Sequence, residues 1–275
     1  SSIPGMNALF AEGARLGAQE FLMGMAHRGR LNILTNLFKK PFKAIFSEFE
    51  GHSLPEDISG DGDVKYHMGQ SADVTTADGH EIHLSLAANP SHLEAVNPVV
   101  LGKTRSKAEF QYGGDYTKIV PIIVHGDAAI AGQGIVYECA NMVDLEGYKT
   151  GGAIHVVFNN QVGFTANYRE SRSSLYCTDI AKMMNSPVFH VNADDPEAVV
   201  HAMKMAIQLR QKFAIDVYVD ILGYRRFGHN EGDEPRFTQP LLYDAIKKHK
   251  TVLDIYTAKL VAEGTIEAEE AQKLV

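Results

Sequence analysis

The sequence predicts an α/β fold: a mostly parallel sheet covered by helices on both faces. Three observations carry that expectation. Four short apolar runs, at 119–124, 154–158, 188–191 and 217–222, alternate with segments of helical period. The runs lack the in–out alternation of a half-solvated strand, as strands buried on both sides do. Polar clusters close the first two runs, where an open parallel sheet presents its strand ends to a ligand crevice.

Residues 6–49 read as a helical lead-in: Leu9, Leu16, Phe21, Leu31, Leu34, Leu37 and Phe42 recur at roughly helical spacing, with Gly24 and Gly29 as breaks. Residues 51–114 are rich in Gly and Asp and hold only short extended runs such as Glu81-Ile82-His83-Leu84-Ser85-Leu86. They are expected to form irregular loops, and such long loops in a compact domain are commonly functional. A βαβ core follows over 115–263. Its first strand ends in His125-Gly126-Asp127, and 132–148 reads as a helix. The second strand closes on Asn159-Asn160; the third leads into a helix over 196–212 with Pro196 in its first turn. After the fourth strand, helices are expected over about 239–250 and 252–263. Residues 267–275 read as one more helix without cap or breaker, which suggests a piece of a longer polypeptide.

Composition narrows the function classes. With 45% hydrophobic and 22% charged residues, the chain of 275 residues is globular rather than disordered. A net charge of −8 argues against a nucleic-acid or anionic-membrane surface, which needs a cationic face. The apolar run at 119–124 is far too short to span a bilayer, and the first residues lack a signal-peptide layout. Cys139 and Cys177 form no CxxC pair, so neither a disulfide framework nor a structural zinc site is expected, and a reducing compartment is the default.

The chemistry concentrates at two strand ends. Asp127 offers a hard carboxylate and Asn160 an amide oxygen, the donors that Mg²⁺ prefers before completing its shell with phosphate oxygens and water. The small residues Ala128, Ala129, Ala131, Gly132 and Gly134 let backbone N–H groups approach an anion at a helix start. Either dipeptide alone is also an ordinary turn or helix cap. Their occurrence at successive strand ends of one βαβ unit favours a ligand site.

Gly126-Asp127 followed by Asn159-Asn160 resembles the signature of thiamine-diphosphate enzymes, which begins Gly-Asp-Gly and ends Asn-Asn. Here Ala128 stands at the third residue, where the signature often has Gly, and the interval is slightly long. Both departures fit one subfamily. The runs Gly24-Met25-Ala26-His27-Arg28-Gly29-Arg30-Leu31-Asn32, Val64-Lys65-Tyr66-His67-Met68-Gly69 and Asn89-Pro90-Ser91-His92-Leu93-Glu94 resemble the decarboxylating component of the 2-oxoglutarate dehydrogenase complex. So do His125-Gly126-Asp127-Ala128-Ala129 and Gly228-His229-Asn230-Glu231-Gly232-Asp233-Glu234-Pro235-Arg236, and the likeness covers nearly the whole chain.

The resemblance implies a thiamine-diphosphate-binding fold, with residues 1–275 forming the diphosphate-binding domain of a longer enzyme. The pyrimidine-binding domain, with the glutamate that contacts the aminopyrimidine, would lie beyond Val275. Asp127, Asn160 and the Val162 carbonyl would hold Mg²⁺. Arg28, whose planar guanidinium suits phosphate oxygens, would contact the diphosphate, and Ser91, Leu93 and Ala128 would line the cofactor site. His27 and His67 would bind the 2-oxo acid or move protons, a task suited to imidazole near neutral pH. Ser71, His83 and His92 are weaker candidates for the same pocket. The loop Arg225-Arg226-Phe227-Gly228-His229 resembles one that reaches the cofactor's phosphates, but is also readable as a solvated loop. His52, His80, His201 and His249 read as ordinary surface or core histidines.

The implied reaction is oxidative decarboxylation of 2-oxoglutarate in the tricarboxylic acid cycle, passing the succinyl group to the lipoyl group of a dihydrolipoyl succinyltransferase. A homodimer is expected, and a cytoplasmic location is favoured over the mitochondrial matrix. Alternatives are the same chemistry on pyruvate, 2-oxoadipate or a branched-chain oxo acid, or a catalytically dead assembly module.

Overall fold

The computed structural model describes residues 1–50 and 67–274, so His52 and residues 64–66 of one motif lie outside the described residues. In chain order the elements are α1 (Ser2–Arg15), β1 (Glu20–Met25), α2 (Arg30–Asn36), α3 (Phe42–Phe49), β2 (Gln70–Thr75), β3 (Glu81–Leu86) and α4 (Val96–Gln111). Then come β4 (Ile119–Gly126), α5 (Asp127–Gly132), α6 (Gly134–Met142), β5 (Ile154–Asn159), the short pair β6 (Val162–Gly163) and β7 (Ala166–Asn167), and α7 (Tyr168–Ser171). The chain continues through β8 (Val188–Asn192), α8 (Pro196–Phe213), β9 (Val217–Leu222), α9 (Pro240–Lys248), α10 (Val252–Ala262) and α11 (Ala268–Leu274). One seven-stranded sheet runs β2-β3-β1-β4-β5-β9-β8. All its pairings are parallel except β2 with β3.

The mostly parallel, doubly covered sheet is as expected, and the four strands of the second half fall where the apolar runs lie. Two expectations need correction. Residues 1–50 are not helical throughout: Phe21 and Gly24 belong to β1, a fully buried central strand between β3 and β4. A six-residue apolar strand covered on both faces has no period of its own, so it merges with the helical spacing around it. Nor is 51–114 irregular in its described part, which supplies β2, β3 and the sixteen-residue α4. Pro98 and Gly102 sit within α4 and mask its helical pattern.

Alternating side chains of the central strands feed two layers. Phe21, Met23 and Met25 of β1 pack with Val120, Ile122 and Val124 of β4 under α1, α2 and α8. On the opposite face, Leu22 and Ile123 meet Val96 and Val100 of α4, and Val157 and Tyr218 meet α5 and α6. Gly24 is required here, because a Cβ would stand 2.7 Å from Val100 Cγ2. A fully buried arginine ties the carboxyl edge of this sheet together. Arg30 donates to the Met25, Met68 and Ala87 carbonyls at 3.2, 2.8 and 2.7 Å, and burial pulls its guanidinium down to about 10. It remains a cation at neutral pH and joins the end of β1 to the segments flanking β2 and β3. Arg30→Met strands three carbonyls without a donor. We expect a loss of roughly 3 kcal/mol or more, read as a lower urea midpoint of the full-length protein; an unchanged midpoint contradicts this role.

Candidate functional site

The site is built by strand register. In β4 and β5, Gly126 pairs with Phe158, so Asp127 and the Asn159-Asn160 turn leave the sheet side by side at its carboxyl edge. Asp127 opens α5 and is 2% exposed. Burial pushes its carboxyl above the usual range; Arg172 and the backbone amides of Asp127 and Asn160 oppose that shift, and Asp220 adds to it. Among the described residues, the cation paired with it is Arg172, whose Nη1 lies 3.8 Å from Asp127 Oδ2. Asn160 Oδ1 accepts from the Val162 amide at 3.2 Å, and Asn159 Oδ1 accepts from the Gln161 amide at 3.2 Å. The turn passes through Gln161 at φ +64° and Phe164 at φ +52°, left-handed conformations that non-glycine residues adopt rarely. Gly163 lies between them because a Cβ there would stand 2.5 Å from that of Ala128.

Asp127, Asn160, Val162 and Gly163 line a cleft of about 340 Å³ together with His27, Arg28, Ser91, Leu93, His125, Phe164, Arg225 and His229. Two of these lining residues are arginines. Arg28 Nη2 donates to the His229 carbonyl at 2.9 Å and lies 3.2 Å from His229 Nδ1. Arg225 is buried and donates to the Phe164 and Phe227 carbonyls at 2.9 and 3.0 Å, which fixes the loop expected from its charge pattern. His229 is held below the usual imidazole range by burial, Arg28 and Arg225, and its amide donates to Asp233 Oδ2 at 2.7 Å. His27 is likewise lowered by burial, His67 and Arg28. The rings of His27 and buried His67 lie 6.1 Å apart.

The candidates thus divide. His27, Arg28, Ser91, Leu93, Asp127, Ala128, Asn160 and Val162 come together in the cleft, with His67 beside His27. Ser71, His83 and His92 are not among its lining residues. Ser71 lies on the antiparallel edge strand β2, its Oγ 3.2 Å from that of Ser85. His83 pairs with Glu20 at the amino ends of β3 and β1, the opposite border of the sheet, and its Nδ1 lies 2.7 Å from Asp73 Oδ1. His92 faces a small neighbouring hollow with His27 and Ser91. The sequence reading missed Phe164 and Arg172; neither carries a local signal, since only the fold brings them to the strand tips. Cys139 and Cys177 are buried, with thiols pushed up to about 11 and about 12, so neither is a nucleophile.

The donor chemistry fits a divalent cation next to a phosphate-like anion. A buried carboxylate whose ionisation is disfavoured gains from a cation placed against it, and an amide oxygen stands beside it. Among the described residues no three His, Cys, Asp or Glu side chains converge as a complete cage. The cation would therefore draw further oxygens from a bound anion and water, as Mg²⁺ does. Arg28 and His229 line the same cleft and would be available to such an anion.

A model of the family described as "Dehydrogenase E1 component" matches residues 11–275. The chain belongs to that family. Among its curated relatives, the 2-oxoglutarate dehydrogenase E1 component of Brucella anthropi is 51% identical over a 284-residue alignment, and those of Brucella ovis and Brucella melitensis are each 50% identical. Each alignment takes in 100% of this E1-family chain and 28% of the relative's length.

Because burial holds the Asp127 carboxyl above its unfolded-state value, its ionised form costs the fold stability once pH rises through the window between the two values. Asp127→Asn removes that cost. Without ligands, the variant should melt at or above the wild-type temperature at neutral pH, yet lose the stabilisation given by Mg²⁺ plus a diphosphate ligand. A lower ligand-free melting temperature, or retained ligand stabilisation, contradicts the assignment.

Proposed function

We propose that this chain is the metal- and diphosphate-holding part of a thiamine-diphosphate-dependent 2-oxo acid dehydrogenase that acts on 2-oxoglutarate. The observation that supports it most is the Gly126–Phe158 pairing, which puts Asp127 and Asn160 on adjacent strand ends at a cleft also lined by Arg28 and Arg225. Family membership and the names of the Brucella relatives support the same substrate class.

In this reading Asp127, Asn160 and the Val162 carbonyl hold Mg²⁺, and Arg28 and His229 hold the diphosphate by charge and hydrogen bonds. When bound, thiamine diphosphate supplies a nucleophilic thiazolium carbon for the keto group and an electron sink that lets carbon dioxide leave. The chain's own residues bind, orient and shield. Leu93, Phe158 and Phe164 give the cleft apolar surface that limits water. His27 is lowered by burial and is a neutral imidazole at neutral pH, suited to holding or accepting a proton. Together with His67 it offers hydrogen bonds to the distal carboxylate, which pyruvate lacks. The glutamate that contacts the aminopyrimidine is assigned to the remainder of the protein, since the chain spans 28% of its relatives' length.

The proposal extends to succinyl transfer onto the lipoyl group of a partner succinyltransferase, within the tricarboxylic acid cycle. It also includes a homodimer, for which exposed Phe237 and Leu241 offer apolar surface, and a bacterial cytoplasm, as the organisms of the relatives suggest. His27→Ala in the full-length protein should lower kcat/KM for 2-oxoglutarate by roughly 100-fold or more, with a smaller loss on pyruvate. Equal losses on both would refute the carboxylate role. Turnover of 2-oxoglutarate without thiamine diphosphate would refute the reading as a whole.

A further inference from the structure

From His125 in the cleft lining runs a buried line of four titratable side chains that the proposed chemistry does not use. Glu94 Oε2 lies 2.7 Å from His125 Nδ1, His125 Nε2 lies 2.9 Å from His155 Nδ1, and His155 Nε2 lies 3.1 Å from Asp216 Oδ2. All four residues are at most 8% exposed. The ends are also satisfied: Asn97 Nδ2 donates to Glu94 Oε2 at 2.8 Å, and the Ala153 amide donates to Asp216 Oδ1 at 2.8 Å. The His155 ring stacks on Tyr218 at 4.2 Å and 6°. Buried polar groups cost stability unless every member is paired, and a fully paired network fixes one arrangement of the elements that carry it. Here those elements are the turn before α4 and the strands β4, β5 and β9.

One end of this line is strained. Glu94 adopts φ +67°, a left-handed conformation that is unfavourable for a side chain of its size. Such strain persists where the surroundings over-determine it, and it clusters at working sites. Burial pushes the Glu94 carboxyl up, but His125, Asn97 and His155 outweigh it and hold the group below the usual range, so the acceptor is ionised. Within the same turn stand Ser91 and Leu93, which line the cleft, while the Asn89 amide donates to the His67 carbonyl at 3.1 Å. His125 itself precedes the Gly126-Asp127 tip.

We propose that Glu94 is a positioning residue. Its carboxylate, gripped by His125 and Asn97, holds the turn over 89–95 in its strained backbone and sets the wall of Ser91 and Leu93 against the β4 tip that bears Asp127. The meaning of that wall as a cofactor contact rests on the proposed function; the clasp does not.

The test compares wild type, Glu94→Ala and Glu94→Gln in the full-length protein. Hydrogen–deuterium exchange is followed by peptide without any cofactor, and thiamine diphosphate with Mg²⁺ is titrated calorimetrically. Glu94→Ala should speed exchange across 89–97 by roughly tenfold or more while 119–126 stays protected, and should weaken cofactor binding roughly 10- to 100-fold. Glu94→Gln keeps an acceptor for His125 and should restore both within about threefold. Unchanged exchange across 89–97 in Glu94→Ala, or a Glu94→Gln protein as defective as Glu94→Ala, overturns the proposal. If Glu94→Ala loosens 119–126 as well, the glutamine variant decides: native exchange supports the clasp and loosened exchange overturns it. A wild-type protein that binds no thiamine diphosphate removes the cofactor reading, and the exchange result still decides the clasp.

Discussion

Parallel pairing of β4 with β5 is the constraint on which the rest of the site depends. Backbone hydrogen bonds fix that register, and one consequence is that Gly126 and Phe158 end their strands together. The carboxylate that follows one strand and the side-chain amide that follows the other are thereby brought to neighbouring positions. A one-residue slip would turn alternate side chains to the wrong face and separate the pair. The buried cores on both faces of the sheet make such a slip costly, so the geometry of a polar site is enforced by apolar packing several residues away.

Around this pair the chain distributes charge unevenly. Asp127 is buried with Arg172 Nη1 3.8 Å away, while Arg28 and Arg225, with His229, also line the cleft. Neither half is at ease alone: burial raises the carboxyl of Asp127 and lowers His27 and His229. A cation bridged to a polyanion would relieve both halves at once, which is why the cleft suits such a pair better than either ion separately. Arg30 and the Glu94–His125–His155–Asp216 line serve a different purpose. They pair with backbone carbonyls or with one another and tie together the segments that form the walls.

Much of this was readable from the residues. The strands at 119–124, 154–158 and 217–222 announced themselves because burial on both faces leaves uninterrupted apolar runs, and the site residues fell at their ends. The same property concealed β1, whose Glu20–Met25 run is too short to show a period among neighbouring helical leucines. α4 was hidden by Pro98 and Gly102, which count against a helix locally although tertiary packing of Val96 and Val100 sustains one. His83, a weaker candidate for the pocket, sits at the opposite border because an extended run does not show which end of its strand meets the site; strand direction does, and that is a property of the whole sheet. The buried histidine line was invisible for a similar reason: its members are separated by 31, 30 and 61 positions in the chain.

The central claim is that two adjacent strand tips clamp a divalent ion against a diphosphate. Manganese substituted for magnesium in the full-length protein makes this directly visible by paramagnetic resonance. With thiamine diphosphate present, the account predicts one bound ion whose spectrum carries phosphorus hyperfine coupling, and loss of that signal when Asn160 is replaced by Ala. A bound manganese without phosphorus coupling, or a coupling indifferent to the loss of the Asn160 amide, would contradict it.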